Sequence, residues 1–103
     1  MPDKQYVAEA DFMKALSHPT RLQIMELLRS GEKCVCEIYP VLNLEQANIS
    51  RHLAVLKREG LLQSRKEGLK VIYWAPDRLV YQIIDTCSEM IRQMWLEKAD
   101  LVK

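Results

Sequence analysis

The chain has 103 residues, 49% of them hydrophobic and 28% charged, with a net charge of +1. That is the make-up of one globular domain; no apolar run approaches the roughly 20 residues a membrane span needs, and the charged segment Met1 to Ala10 is no export signal, which points to the cytoplasm. A domain this small buries only a little over about 60% of its unfolded surface, so a partner subunit is expected to complete its core.

Val7, Ala8, Phe12, Ala15 and Leu16 recur at near-helical spacing and predict a first helix over Asp3–Ser17. His18-Pro19 ends it, because the residue before proline avoids the α region. Pro19 can open a second helix over Thr20–Ser30, capped by His18, with Leu22, Ile24, Met25, Leu27 and Leu28 on its apolar face and Gly31 as its stop. Val35, Ile38, Val41 and Leu42 predict a short third helix over Cys34–Leu42, with Pro40 expected near its start or bending it. After the connection Asn43-Leu44, a fourth helix is expected over Glu45–Glu59, with Ile49, Leu53 and Leu56 inward and Gly60 as its left-handed stop. Glu45 stands at its cap, a weaker choice than Ser or Asp. Leu61–Arg65 and Leu69–Trp74 flank the charged turn Lys66-Glu67-Gly68 and form a β-hairpin. Asp77 caps a last helix reaching about residue 100, on which Val80, Ile83, Cys87, Met90 and Met94 form one stripe beside Ile84, Ile91 and Trp95. A stripe so wide exceeds the needs of a small core, so one face is expected to pack on the same helix of a second subunit.

The order is that of a winged helix-turn-helix, mostly α with a small β-hairpin. A single domain over 1–103 would hold a helix-turn-helix at about 34–59, a wing at about 61–74 and a dimerisation helix at about 77–100. In such a fold the second helix of the pair enters the major groove of DNA. Gln46, Ala47, Asn48, Ser50, Arg51 and His52 lie toward the start of that helix. Glutamine and asparagine present the donor and acceptor pair that suits adenine, arginine can reach guanine or phosphate, and serine and histidine can hold phosphate oxygens. Lys57 further along, and Arg65, Lys66 and Lys70 in the hairpin, suit a phosphate backbone or a minor groove. Six Lys or Arg fall between Arg51 and Lys70 against only Glu59 and Glu67, so the basic charge is local although the chain is nearly neutral. No nucleophile and base pair, carboxylate pair or phosphate-cradling glycine loop is present, so an enzyme is not expected.

The segments Leu16-Ser17-His18-Pro19-Thr20-Arg21-Leu22, Gly31-Glu32-Lys33-Cys34-Val35-Cys36-Glu37-Ile38, Ile49-Ser50-Arg51-His52-Leu53, Leu56-Lys57-Arg58-Glu59-Gly60-Leu61 and Arg65-Lys66-Glu67-Gly68 follow one another in this order. Together they resemble the ArsR/SmtB metalloregulatory repressors over nearly the entire chain. The resemblance implies a homodimer through the first and last helices and binding to a double-stranded operator of imperfect two-fold symmetry. It also implies release when an ion binds, with Cys34 and Cys36 as ligands.

Three cysteines, two of them one residue apart, suit thiol or metal chemistry better than a disulfide framework, and soft thiolates select soft ions. The expected inducer is trivalent arsenic or antimony, as in arsenic resistance, with Cd(II) or Pb(II) as alternatives and no organic cofactor. A redox or sulfide response of the cysteines, or a winged-helix protein-interaction module, are the competing readings. On a regular helix residues i and i+2 point about 200° apart, so a chelate at Cys34 and Cys36 is expected to require the third helix's first turn to unwind or rotate. The third cysteine that arsenic-responsive relatives often carry one turn on is Tyr39 here. Cys87 is the remaining candidate ligand, although its place in the apolar stripe predicts a buried structural residue. No histidine follows His52, so a zinc-type site on the last helix is not expected.

Overall fold

His18 and Pro19 set the first junction. The computed structural model describes residues 2–102, with side-chain surroundings over residues 3–99. Helix α1 (Pro2–Leu16) stops before His18, whose Nδ1 accepts a hydrogen bond from the Thr20 N–H; Pro19, having no N–H to satisfy, then opens α2 (Pro19–Leu27). A 3₁₀ turn over Leu28–Ser30 continues it, so the α-helix expected to reach Ser30 tightens three residues early.

The next segment differs from expectation. Lys33–Cys34 form a short strand, β1, and the third helix, α3 (Val35–Leu42), starts one residue after Cys34 rather than on it. Cys34 is extended, with φ −71° and ψ 148°, because its neighbour Lys33 pairs with Tyr73 and it pairs with Ile72 itself. Pro40 lies inside the second half of α3, where its missing N–H leaves the Cys36 carbonyl without the usual helical donor. The first turn is therefore held by one bond fewer. Asn43, left-handed at φ 54°, ends α3.

Helix α4 (Gln46–Arg58) follows Glu45, whose side chain makes no capping bond. Its end is well specified: Gly60 adopts φ 83°, its N–H reaches the Lys57 carbonyl, and the Leu61 N–H reaches that of Leu56. Those two bonds are the Schellman arrangement that a left-handed glycine permits. Strands β2 (Gln63–Glu67) and β3 (Lys70–Trp74) make the hairpin, with Glu67 opposite Lys70. The turn is thus Gly68-Leu69 rather than Lys66-Glu67-Gly68, because glycine at φ 61° in the first central position allows the tight two-residue connection that matches strand twist. With β1 the hairpin becomes a three-stranded antiparallel sheet of order β1-β3-β2.

The Asp77 carboxylate accepts from the Leu79 N–H at 2.9 Å and starts α5 (Leu79–Val102). Ile24, Met25, Leu28, Ile38, Ile49, Leu53, Leu56 and Leu62 are essentially without exposure and fill the space between α2, α3 and α4. Burial of each such side chain contributes about 1.5–3 kcal/mol. Val80 and Tyr81 fasten α5 to this core, and the buried Tyr81 hydroxyl donates to the Met25 carbonyl at 2.7 Å. Arg29 and Arg78 lie 4.6 and 4.5 Å from the Tyr81 ring, and Arg29 also pairs with Asp85. Beyond that anchor Ile83, Met90, Met94, Trp95 and Leu96 are exposed on α5, as are Tyr6, Val7 and Met13 on α1. Among the described residues no helix is long and apolar enough to cross a membrane.

Candidate ligand site and nucleic-acid interface

Cys34 is the N-cap of α3, and its surroundings are set by backbone bonds. Its Sγ accepts from the Cys36 N–H at 3.0 Å, while its own N–H donates to Glu37 Oε1 at 2.9 Å. This is a capping box in which a cysteine sulfur stands where the hydroxyl of serine or threonine is usual. Because Cys34 is extended and Cys36 sits in the first turn, the two side chains meet, and the structure joins their sulfurs as a disulfide, where the sequence pointed to free thiols. Convergence of the pair therefore requires no unwinding of α3, contrary to the expectation drawn from a helix that included both cysteines. Cys34 is buried and Cys36 exposed.

The pair opens on a cleft of about 200 Å³ whose other walls are Gln46 and Ser50 of α4 and Lys70, Val71 and Tyr73 of β3. One cavity thus borders the cysteines, the expected reading helix and the wing. A second connection runs across the sheet, where Cys34 faces Ile72 and Ile72 faces Arg65. Arg65 makes two bonds of 2.7 Å to Glu32, the residue before β1, and a further bond to Glu67. It also stacks over Trp74, with its guanidinium carbon 5.3 Å from the ring centroid. The guanidinium holds the Glu32 carboxyl below the usual carboxylate range, and the two carboxylates push the arginine further up. The wing is in this way tied to the segment that leads into Cys34.

Gln46, Ala47, Asn48, Ser50 and Arg51 are all exposed along the start of α4. Lys66 and Lys70 flank the exposed hairpin tip, and Lys57 donates to Ser64 Oγ at 2.8 Å. His52 is half-buried instead, its ring 4.4 Å from that of His18 and tilted by 47°. Burial lowers its pKa, and His18, Arg21 and Arg51 lower it further by disfavouring another positive charge. The contact joins the cap of α2 to the middle of α4, a link that helical spacing alone does not reveal.

Cys87 does not join the other two. It lines an apolar groove with Met13, Leu16, Leu22, Ile83, Ile84 and Ile91, between α1, α2 and α5, and it is exposed rather than buried as its stripe position suggested. The reason is that, among the described residues, the Val80, Tyr81 and Ile84 side of α5 meets the core, while the Ile83, Cys87 and Met90 side is left without cover. Among the described residues no three His, Cys, Asp or Glu side chains gather in a metal-ligating group. Two contacts escaped the sequence reading although a signal was present. Glu37 lies three residues after Cys34, the capping-box spacing, and Glu32 and Arg65 are a complementary pair at the two ends of the sheet.

The helix order, the glycine-stopped α4 and the three-stranded wing define a winged helix-turn-helix transcriptional regulator. In the solution structure of the homodimeric winged helix-turn-helix DNA-binding domain of a possible ArsR-family regulator from Mycobacterium bovis, the same fold recurs with a TM-score of 0.79 and 28% identity over 93% of this chain and 88% of that one. Residues 18–64 match the family model described as bacterial regulatory protein, arsR family. The chain belongs to the ArsR family. An uncharacterized HTH-type transcriptional regulator of Methanocaldococcus jannaschii is 40% identical over 88 residues, 84% of this chain and 99% of that protein. The arsenical resistance operon repressor of Escherichia coli is 37% identical over 91 residues, covering 87% of this chain and 74% of the repressor.

Proposed function

We propose that this regulator is a homodimeric operator-binding repressor released by a soft, thiol-seeking ion at Cys34 and Cys36. Trivalent arsenic or antimony is the first choice of inducer, with Cd(II) or Pb(II) behind. The observation that carries the reading is the cleft in which the two cysteines share walls with Gln46 and Ser50 of α4 and Lys70 of β3. Once reduced, the two sulfurs that meet at the start of α3 are soft donors of the kind such an ion selects. The name of the Escherichia coli relative, a repressor of an arsenical resistance operon, supports the same ion class.

In this account Gln46, Ala47, Asn48, Ser50 and Arg51 read bases and hold phosphate, with His52 supporting α4 from within. Lys57, Lys66 and Lys70 meet the backbone, and Arg65 braces the wing through Glu32. The exposed apolar faces of α1 and α5, Cys87 included, are the surface for the second subunit. An ion held by both thiols replaces the Cys34 cap with a larger group against α4 and the wing. Because ion and DNA then favour different arrangements of the same walls, each weakens the other, and a coupling of about 1–3 kcal/mol changes operator affinity 5- to 150-fold.

A second reading, a redox-responsive repressor, draws on the joined sulfurs of Cys34 and Cys36. There a peroxide takes two electrons and two protons from the thiol pair and leaves as water, and the disulfide itself is the released state. The two readings separate in one gel-shift series on the DNA upstream of the protein's own gene. The reduced protein is titrated with arsenite, antimonite, cadmium, lead and zinc, and separately with peroxide, for the parent and for Cys87→Ser. Release by the soft ions at full reduction supports the ion reading. Release by peroxide alone supports the redox reading, and failure to bind duplex DNA at any salt concentration contradicts both.

A further inference from the structure

The tip of the wing carries an apolar side chain that no described residue covers. Leu69 is 106% exposed, against at most 67% for any other exposed large hydrophobic among the described residues. Gly68, at φ 61°, and Leu69 are the two residues of the turn that Glu67 and Lys70 close. Glycine in the first place satisfies the backbone, and asparagine, aspartate or serine ordinarily follows it, so leucine adds nothing to the turn. The hairpin behind the tip is held by the bonds of Arg65 to Glu32 and of Lys57 to Ser64. Because Lys57 belongs to α4, the Ser64 face of the hairpin is the one turned toward that helix. Lys66 and Val71, paired across the strands two residues nearer the tip, share that face. Leu69 itself borders the same cleft as Gln46 and Ser50 of α4, with Lys70 beside it.

We propose that Leu69 is a specificity-determining residue of the operator contact: it lies against the floor of the minor groove adjoining the major groove that α4 enters, and it selects A·T pairs there. The proposal rests on the reading of α4 and the wing as the DNA-binding surface. One phosphate backbone runs between a major groove and the adjoining minor groove. A cleft bounded by α4 and the wing tip, with Ser50 and Lys70 among its walls, suits that ridge and sets the tip over the minor groove. That groove is about 6 Å wide, too narrow for two strands about 4.8 Å apart with their side chains, so the contact falls to one residue at the tip. Lys66 and Lys70, both exposed, take the flanking phosphates, while the Glu67 carboxylate is engaged by Arg65. In the minor groove an A·T pair shows only the acceptors adenine N3 and thymine O2, and G·C adds the amino group on guanine C2. That amine blocks the leucine methyls and loses its water without gaining a new hydrogen bond, so G·C is penalised.

The test uses the reduced full chain on duplexes from the DNA upstream of its own gene. Dimethyl sulfate, which methylates adenine at N3 in the minor groove, first locates the A·T pairs that the bound parent protects and bound Leu69→Ser leaves open. Those pairs are then replaced by G·C, or by inosine·cytosine, which keeps the major-groove face of G·C but lacks the minor-groove amine. By fluorescence anisotropy the parent is expected to bind the A·T and inosine duplexes alike and the G·C duplex about fivefold or more weakly. Leu69→Ser is expected to bind the A·T duplex more weakly and to lose the preference, and Leu69→Met to keep it. Both variants are expected to melt with the parent, since Leu69 is fully exposed. A lower melting temperature for Leu69→Ser would show that the side chain packs within the fold and would overturn the proposal. So would an inosine duplex as weak as G·C, an undiminished preference in Leu69→Ser, or adenine N3 protection that is absent or equal in parent and variant. A parent that binds no duplex removes the DNA-binding reading itself, and this inference with it.

Discussion

Cys34 has a structural duty that is separable from its chemistry, and substitution can divide the two. Its Sγ accepts the Cys36 N–H at 3.0 Å while Glu37 accepts the Cys34 N–H at 2.9 Å. Alanine removes the first bond and keeps the second; serine supplies an oxygen at the same place. Losing a cap costs about 0.5–2 kcal/mol, and because sulfur is a weak acceptor the lower half, about 0.5–1 kcal/mol, applies to Cys34→Ala. At 4–8 °C per kcal/mol for a domain of this size, Tm falls by about 2–8 °C. Cys34→Ser should match or exceed the parent, since serine is a preferred cap. The assay is urea unfolding at fixed protein concentration under full reduction, so that neither the disulfide nor dimerisation differs between samples. If serine destabilises as much as alanine with an unchanged m value, the thiol is not acting as a cap.

Acidification gives the second outcome. The pKa of His52 is lowered by burial, His18, Arg21 and Arg51, so the unfolded chain binds its proton more readily. Stability is then complete above the unfolded value of about 6.5 and declines as pH falls through it. Glu32, Asp85 and Glu89, whose values are also lowered, add their losses only below about 4.3. Urea midpoints between pH 7.5 and 5.5 should therefore drop in the parent and stay flatter in His52→Gln; equal slopes would sink the assignment. Tyr81→Phe removes the buried bond to the Met25 carbonyl and should cost about 1 kcal/mol of unfolding free energy, whereas an unchanged midpoint would show that the contact does not anchor α5. Arg51→Ala should weaken operator binding and reduce the slope of log affinity against log salt by about one if it holds a phosphate, or relax specificity at one base pair if it reads a base. Unaltered affinity and selectivity would remove Arg51 from the interface.

Much of the fold is written in local signals. The His18-Pro19 junction, the Gly60 stop, Asp77 as cap and the inward Ile49, Leu53 and Leu56 each depend on residues within a few positions, and each stands where the pattern placed it. β1 does not, because two residues carry no periodicity and Lys33-Cys34 becomes a strand only when β3 is beside it. The hairpin turn shortened to Gly68-Leu69 because glycine occupies the first central position of a two-residue turn, and counting charges around Gly68 does not fix that. At the site, the Cys34 and Cys36 types and spacing were legible while their geometry was not. Whether i and i+2 diverge or meet depends on one ψ angle at Cys34, which the sheet decides. The engagement of Arg65 by Glu32 and of His52 by His18 are likewise contacts between elements far apart in sequence.

The central claim is that an ion on Cys34 and Cys36 and an operator duplex each weaken the binding of the other. Fluorescence anisotropy of a labelled duplex from the upstream region, titrated with fully reduced protein at fixed salt with and without arsenite, measures that coupling. The parent should lose at least 5-fold in affinity on adding arsenite, and the Cys34→Ser/Cys36→Ser double variant should bind the duplex like the ion-free parent and ignore arsenite. An equal loss in the double variant, or no loss in the parent with any soft ion, would contradict it.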